Sequence, residues 1–495
     1  MKTKPLIIRS RWASLPLAVF LGACSFVPQY EQPQVPLAQQ WIDVALDEQA
    51  ADDQEISELG WRDYFRDPRL QRFIATALEH NHDLRKAALN TQIAQAQYGI
   101  THADVLPSLG AQGDYTRSRT ARDFSPVRQA TISEQYQVGL GMSAFELDFF
   151  GRVQALSDVA LNKYLATHEA RDAAQLSLIA AVAKTYYQAR IAQASMALSE
   201  KVMQSRAESY RLAKLQFDAG LISAIALHGV ESQIEGAKAD YAAQKRNLRQ
   251  AMNGLSMLVG YPVSALELPE AAGLDEQFAE MAIASNVSSA VLANRPDIRE
   301  VEYQLKAANA NIGAAKAAFF PSIKLTGNLG YGSTELNHLF DGGNLLWSFA
   351  PSISLPIFDG GRRDANLKIS ELQQQVLIED YQQTVQQAFT DVADALVARE
   401  TLADQYAAQQ RGSKAVSERM RLENLRFENG VSSALDMLDA QRESYASRQG
   451  LLVTKQQILN NQVDLYTALG GGLKETASAP VEASSTPGAM DGLLK

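Results

Sequence analysis

Between Gly151 and Gly220 the chain contains neither glycine nor proline. Carried as one helix at 1.5 Å per residue, residues 152 to 219 would extend about 100 Å, far beyond the roughly 8 to 20 residues of a helix in a globular protein. An ordinary core cannot cover such a helix, so it must lie against others of similar length. Its apolar residues recur at seven-residue spacing, as Val182, Ala189, Met196, Met203, Tyr210 and Phe217. A returning run carries Leu227, Ile234, Tyr241, Leu248 and Leu255 at the same spacing. Such a recurrence keeps one seam turned toward a partner helix, as in coiled coils. Gly220 is the expected hairpin turn between the two runs, followed by Ser223, which can cap the exposed N–H groups of the second.

The same plan then returns. Asp83-Leu84-Arg85 reappears as Asp297-Ile298-Arg299, and Pro107-Ser108-Leu109 as Pro321-Ser322-Ile323, each 214 residues on. Gly151-Arg152 reappears as Gly361-Arg362 and Gly220 as Gly430, each 210 residues on. At that second offset Val182, Met196, Met203, Tyr210 and Phe217 map onto Val392, Tyr406, Ser413, Met420 and Phe427. The returning seam maps onto Met437, Ser444, Leu451, Ile458 and Leu465. One offset shared by turn and seams signals an internal duplication. The change of offset falls between two strands, where a loop can absorb it.

Ahead of each long helix the period of the pattern changes to two. Tyr136, Val138, Leu140, Met142 and Ala144 alternate with Gln135, Gln137, Gly139, Gly141 and Ser143, and the weaker alternation of 108–118 supplies a hairpin partner. In the second copy Ile323, Leu325, Gly327, Leu329 and Tyr331 alternate with Ser322, Lys324, Thr326, Asn328 and Gly330. Its partner carries Trp347, Phe349, Pro351, Ile353, Leu355 and Ile357 on one face and Ser348, Ala350, Ser352 and Ser354 on the other. Runs of about ten residues, greasy on one face and polar or small on the other, suit tilted transmembrane β-strands around a wet lumen. A half-buried sheet in a soluble domain is the alternative, and it would carry more charge on its outer face. Four strands cannot close a barrel, and a sheet edge cannot be left open in lipid. The membrane reading therefore requires more than one copy of the chain, and three copies would supply twelve strands.

The N-terminus reads as a signal peptide, with Lys2, Lys4, Arg9 and Arg11 before the apolar run Leu15 to Phe20. It ends in Leu21-Gly22-Ala23-Cys24, which resembles a bacterial lipobox and implies a diacylglycerol and an N-acyl chain on Cys24. As the single cysteine, Cys24 permits no intramolecular disulfide. One lipidated residue holds a membrane only with a second attachment, which the strands would provide. The Pro- and Gln-rich stretch that follows reads as a solvated linker. These signals divide the chain into a signal peptide (1–23), a lipidated extended arm (24–61) and a first repeat (62–262; helix, β-hairpin 108–145, long helices 152–219 and 223–258). A connector (263–290), a second repeat (291–472; helix, β-hairpin 321–358, long helices 362–429 and 432–469) and a disordered tail (473–495) complete it.

A net charge of −10 with no basic face argues against nucleic acid as a partner. The histidines His80, His82, His102, His168, His228 and His338 form no metal motif, there is no phosphate-binding loop, and no catalytic constellation is present. Neither an enzyme activity nor a metal or cofactor site is expected.

Together, Leu21-Gly22-Ala23-Cys24, Asn294-Arg295-Pro296-Asp297, Phe319-Phe320-Pro321, Leu355-Pro356-Ile357-Phe358-Asp359-Gly360-Gly361 and Gly430 followed by Leu435 to Gln441 resemble the lipoprotein branch of the TolC family of outer-membrane factors. The resemblance covers nearly the whole mature chain in order. It implies an α+β membrane protein: a long antiparallel α-helical barrel joined to a transmembrane β-barrel, four strands per protomer, internally duplicated and trimeric. It further implies an outer-membrane location extending into the periplasm. The partners it implies are a homotrimer, a periplasmic membrane-fusion adaptor and an inner-membrane efflux transporter of RND type. The function implied is the passive exit duct of a tripartite efflux pump. A duct for type I protein secretion and a periplasmic coiled-coil adaptor or tether are the rival readings.

Asp436 and Asp439 share a helix face beside Leu435. Spacing alone suits a second reading, because acids favour the first turn of a helix and Ser433 with Asp436 approximates a capping box. The resemblance implies that these acids ring the periplasmic entrance as a gate, with Leu435 as an adjoining apolar ring. It also implies two departures from the family. Phe427 and Ser432 stand where an aromatic hydroxyl and an arginine latch the family's best-known form, and Ala226 stands where the first hairpin often carries an acid.

Overall fold

The structure is a computed structural model that describes residues 25–35, 60–126, 128–264, 267–268, 289–429 and 431–472. The signal peptide, Cys24, the arm between Val35 and Gly60, most of the connector, Gly430 and the tail lie outside the described residues. In chain order come α1 (Trp61–Tyr64), α2 (Pro68–His80), α3 (His82–Ala103), β1 (Gly110–Thr120), β2 (Thr131–Leu147), α4 (Arg152–Asp218) and α5 (Ala224–Val259). There follow α6 (Pro296–Ala317), β3 (Ser322–Ser333), β4 (Leu345–Ser354), α7 (Arg362–Glu428) and α8 (Ala434–Ala468). The duplication is visible in the lengths: α4 and α7 each hold 67 residues, and α3 and α6 each hold 22. The chain divides into two compact units, one containing 89–168 and 300–383, the other 35–88, 169–299 and 384–495.

The first unit holds a four-stranded antiparallel sheet in the order β1-β2-β3-β4. Its register lines up the apolar alternation across strands. Leu140 faces Leu329, which faces Trp347, and Leu147 faces Ile323, which faces Ile353. The other face carries Gln112 opposite Gly139, Asn328 opposite Ser348, and Glu146 opposite Lys324 opposite Ser352. One face is thus greasy and the other polar or small, and among the described residues no further strand pairs with the edges β1 and β4.

Two expectations for these strands are corrected. Ala144 does not continue the apolar face of β2. The register shifts between Met142 and Phe145, so Ser143 and Ala144 together oppose Thr326, and apolar positions switch from even to odd numbers. This is a β-bulge: Ala144 takes φ 50°, and its N–H donates to Thr326 Oγ1 at 3.2 Å. At the same end of the sheet β4 stops at Ser354, although the alternation runs on to Ile357. Pro356 has no N–H to give a ladder.

The arm is also not a solvated linker where it is described. Phe26 stacks on Phe320 with ring centroids 4.5 Å apart, Asn309 Nδ2 donates to the Pro28 carbonyl at 2.7 Å, and Gln32 Nε2 donates to the Tyr381 hydroxyl at 2.7 Å.

The second unit is built on helix seams. Val182, Ala189, Ile234, Leu248 and Leu255 are buried, as are Val392, Met437, Ser444 and Leu465 of the second copy. Asp67 caps α2 by accepting from the Arg69 N–H, with Pro68 at the position where a missing N–H is harmless, and it also accepts from the Tyr186 hydroxyl at 2.6 Å. Arg295 is nearly buried. It donates to both carboxylate oxygens of Asp297 at 3.1 and 2.7 Å, to Asp391 at 3.3 Å and to the Ala468 carbonyl at 2.9 Å. One guanidinium thereby ties the start of α6, the body of α7 and the last turn of α8. Burial opposes its charge, but the two carboxylates outweigh this and hold its pKa up.

Candidate functional site

The gate residues sit where α7 turns into α8. In the first hairpin Gly220 takes φ 76°, the left-handed conformation that ends a helix without a Cβ penalty, and the Leu221 N–H reaches back to the Gln216 carbonyl at 2.8 Å. In the second, the Val431 N–H reaches back to the Arg426 carbonyl at 2.8 Å. Gly430 itself lies outside the described residues, but the bond that spans it matches the one spanning Gly220.

Each returning helix is capped by serine. Ser223 Oγ accepts from the Ala226 N–H at 3.3 Å. Ser433 does more: its Oγ accepts from the Asp436 N–H at 3.2 Å, and the Asp436 carboxylate accepts from the Ser433 N–H at 3.2 Å and from its hydroxyl at 2.7 Å. This is a complete capping box. With alanine at 226, the first hairpin has no carboxylate to return the bond. The Ser433 bonds, aided by the nearby charges of Arg426 and Arg419, hold the Asp436 carboxyl below the ordinary aspartate range.

The two hairpins meet at their turn ends. Met437 and Leu438 are buried against Ala213 and Val230, with Tyr210, Leu227 and Phe427 packed around them. Phe427 is therefore a packing residue. Burying Met437 and Leu438 fixes the rotation of α8 and leaves Leu435 67% exposed. Asp439 is half-buried and accepts from Arg442 at 2.6 Å. The partners found for both carboxylates lie on α8 or its cap, so neither acid latches one helix to another through these bonds. Across the hairpin Arg419 pairs with Glu443, and Gln441 Nε2 donates to Asn424 Oδ1 at 3.2 Å.

The sequence reading passed over three exposed apolar side chains at the turns, Leu221, Ile225 and Val431. The signal was available: Leu221 and Val431 are equivalent at the 210-residue offset, and each follows the turn glycine where no seam can bury it. Among the described residues no group of His, Cys, Asp and Glu is placed to hold a metal ion, and no helix is long and apolar enough to cross a membrane.

The sequence profile of the "Outer membrane efflux protein" (OEP) family matches residues 73–261 and 287–471, one match for each half of the duplication. The "Probable efflux pump outer membrane protein TtgC" of Pseudomonas putida is 41% identical over 470 residues, covering 94% of this chain and 96% of the relative. The "Cation efflux system protein CusC" of Escherichia coli O157:H7 is 38% identical over 464 residues, covering 93% and 98%. Among solved structures, the open state of the Neisseria gonorrhoeae MtrE outer membrane channel superposes with a TM-score of 0.81 at 44% identity, covering 91% of this chain and 99% of that one. With the four-stranded sheet, the paired long helices and the duplicated halves, these likenesses establish that the chain belongs to the outer membrane efflux protein family, the TolC-type channels through which efflux pumps cross the outer membrane, and is not an enzyme.

Proposed function

We propose that three copies of the chain close into a twelve-stranded barrel that serves as the exit duct of a tripartite pump, conducting small toxic compounds outward from a periplasmic adaptor and an RND-type inner-membrane transporter. The observation that carries this is the pair of open edges. Among the described residues β1 and β4 have no outer neighbour, while Trp347, Phe349 and Ile353 of β4 stand exposed on the greasy face. In lipid such edges must pair, and only further copies of the sheet offer a matching edge. The helices adjoining those edge strands support the same closure. Leu89, Ile93 and Ile100 on α3, and Ile369, Leu372 and Val376 on α7, form exposed apolar stripes at helical spacing. Acylated Cys24 adds the second membrane attachment.

Leu435, Asp436 and Asp439 form the periplasmic gate. Three copies bring up to six carboxylates around one opening, where mutual repulsion works against the low Asp436 pKa of the single chain and favours a bound cation. The exposed Leu221, Ile225 and Val431 at the turns suit docking of the adaptor, whose contact would cover apolar surface and shift the hairpins outward. The relatives named for toluene, antibiotic and cation efflux support small molecules or ions as cargo over polypeptides.

The test is conductance in planar bilayers. Asp436→Ala with Asp439→Ala should raise single-channel conductance and make cells leak large antibiotics. Conductance equal to the native channel's would remove the acids from the gate. Sensitivity profiles of deletion strains against organic antimicrobials and toxic metals would then assign the cargo.

A further inference from the structure

The greasy face of the first hairpin changes character toward its turn. Side chains alternate across a sheet, so the face that carries Leu140 also carries Val138, Tyr136, Glu134 and Ile132 of β2. Opposite these stand Ala111, Gly113, Tyr115, Arg117 and Arg119 of β1. Tyr115 and Tyr136 stack with ring centroids 4.7 Å apart, as girdle aromatics do where a barrel leaves the hydrocarbon. Beyond them the face is charged. Arg117 pairs with Glu134 at 3.2 Å, and Arg119 lies opposite the exposed Ile132. The turn adds Arg122, in the single 3-10 turn Arg122–Phe124, and Arg128, both exposed. The polar face at the same level holds Ser118 and Ser133, whose hydroxyls meet at 2.8 Å, so Arg117 and Arg119 stand on the side of lipid and not of the lumen.

This end of the sheet is positive in a chain whose net charge is −10. Between Tyr115 and Tyr136 lie four arginines against two acids, Asp123 and Glu134. The matching end of the second hairpin, from Tyr331 to Trp347, has neither arginine nor lysine, and its Asp341 already bonds His338 at 2.7 Å. Among the described residues no carboxylate pairs with Arg119, Arg122 or Arg128. With the helices on the periplasmic side, the hairpin turns emerge at the outer leaflet. At about 3.4 Å per residue and a strand tilt of about 40°, Arg117 and Arg119 stand roughly 5 and 10 Å beyond the tyrosines, where lipid headgroups carry their phosphates. A guanidinium forks onto a phosphate through two parallel bonds, and basic clusters at this depth select anionic headgroups. Arginines spread along one strand and its turn suit two phosphates on a rigid saccharide better than one.

We propose that Arg117, Arg119, Arg122 and Arg128 form a binding site for the diphosphorylated saccharide headgroup of an outer-leaflet glycolipid, held against the lipid side of the β1–β2 hairpin. Each copy carries one such site at its β1 edge, where the sheet meets the next copy, so the bound lipid would seal the outer rim at each seam of the barrel. The proposal rests on insertion of the sheet as a membrane barrel, as proposed above.

The test uses the assembled full chain in mild detergent, titrated with three probes and read by native mass spectrometry. The probes are an acylated glucosamine disaccharide bearing two phosphates, the same lipid with both phosphates removed, and phosphatidylglycerol. The diphosphorylated lipid should bind about tenfold more tightly than either of the others, the scale of one charge-assisted hydrogen bond. Arg117→Gln with Arg119→Gln should erase that preference. Equal binding of the dephosphorylated lipid or of phosphatidylglycerol overturns the headgroup, and a preference undiminished in the glutamine variant overturns the residues. Weaker assembly of the variant in lipid-free detergent would mean that the arginines hold the neighbouring copy instead, which also overturns the site. Conductance of the native chain in planar bilayers is measured separately. Its absence would count against the duct, while the ratio of lipid affinities still decides the site.

Discussion

Ser433 and Asp436 satisfy each other across the first turn of α8, the Ser433 hydroxyl donating to the carboxylate at 2.7 Å while accepting from the Asp436 N–H at 3.2 Å. The proposed gate acid is therefore also a capping acid, and the two roles separate by substitution. Ser433→Ala removes the cap and keeps the charge, costing about 1 kcal/mol of local helix stability. Asp436→Asn removes the charge and retains a side-chain oxygen to accept the bond. Conductance should rise with Asp436→Asn and change little with Ser433→Ala. The opposite order would make turn rigidity, and not charge, the barrier.

The same bonds give the turn a pH dependence. Because the folded Asp436 pKa lies below its ordinary value, its contribution is complete above the unfolded pKa of about 3.9. It is lost as pH falls through the lower folded value. Hydrogen exchange of the peptide spanning 431–440, corrected for intrinsic rates, should therefore show fraying only on the acid side. Asp436→Ala should flatten that response, and an unchanged acid response in the variant would assign it to another group.

Arg295 offers a stability test away from the gate. Arg295 is 8% exposed, and its guanidinium meets two carboxylates and the Ala468 carbonyl at once. Arg295→Ala should destabilise by about 2 kcal/mol, the scale of hydrogen bonds to charged groups. Arg295→Lys should recover less than half, since an ammonium cannot fork to all three partners. Thermal unfolding in detergent measures both, and full recovery by lysine would reduce the site to a point charge.

At the bulge, Ala144 holds φ 50°. A non-glycine residue there is strained by about 1 kcal/mol, so Ala144→Gly should raise the temperature at which the assembly dissociates, and Ala144→Val should lower it. A glycine variant no more heat-resistant than the native chain would mean that the bulge carries no strain.

The layout was legible because periodicity survives duplication. Seven-residue seams and two-residue alternation each appear twice, so helices, strands and turns could be read from Gly220, Gly151 and their equivalents. The bulge was hidden because Ala144 is small enough to suit either face, and only the pairing of Phe145 with Leu325 reveals the change of parity. The docking of the arm was hidden for another reason: Gly313 lies inside a helix, where a glycine has no local signature, and its use depends on Val27, distant in sequence. At the gate, spacing placed Asp436 and Asp439 on one face, and the capping box was visible as Ser433 to Asp436. The burial of Met437 was legible from its seam, whereas that of Leu438 was not, because residues of the other hairpin cover it.

The proposed duct requires a sheet whose two edges are closed by copies of itself. Native mass spectrometry of the channel extracted from outer membranes in mild detergent weighs that directly. Three chains per particle are expected, falling apart when Ile93→Asp and Ile369→Asp place charges on the exposed stripes of α3 and α7. A native particle of one chain, stable in detergent with β1 and β4 unpaired, would contradict it.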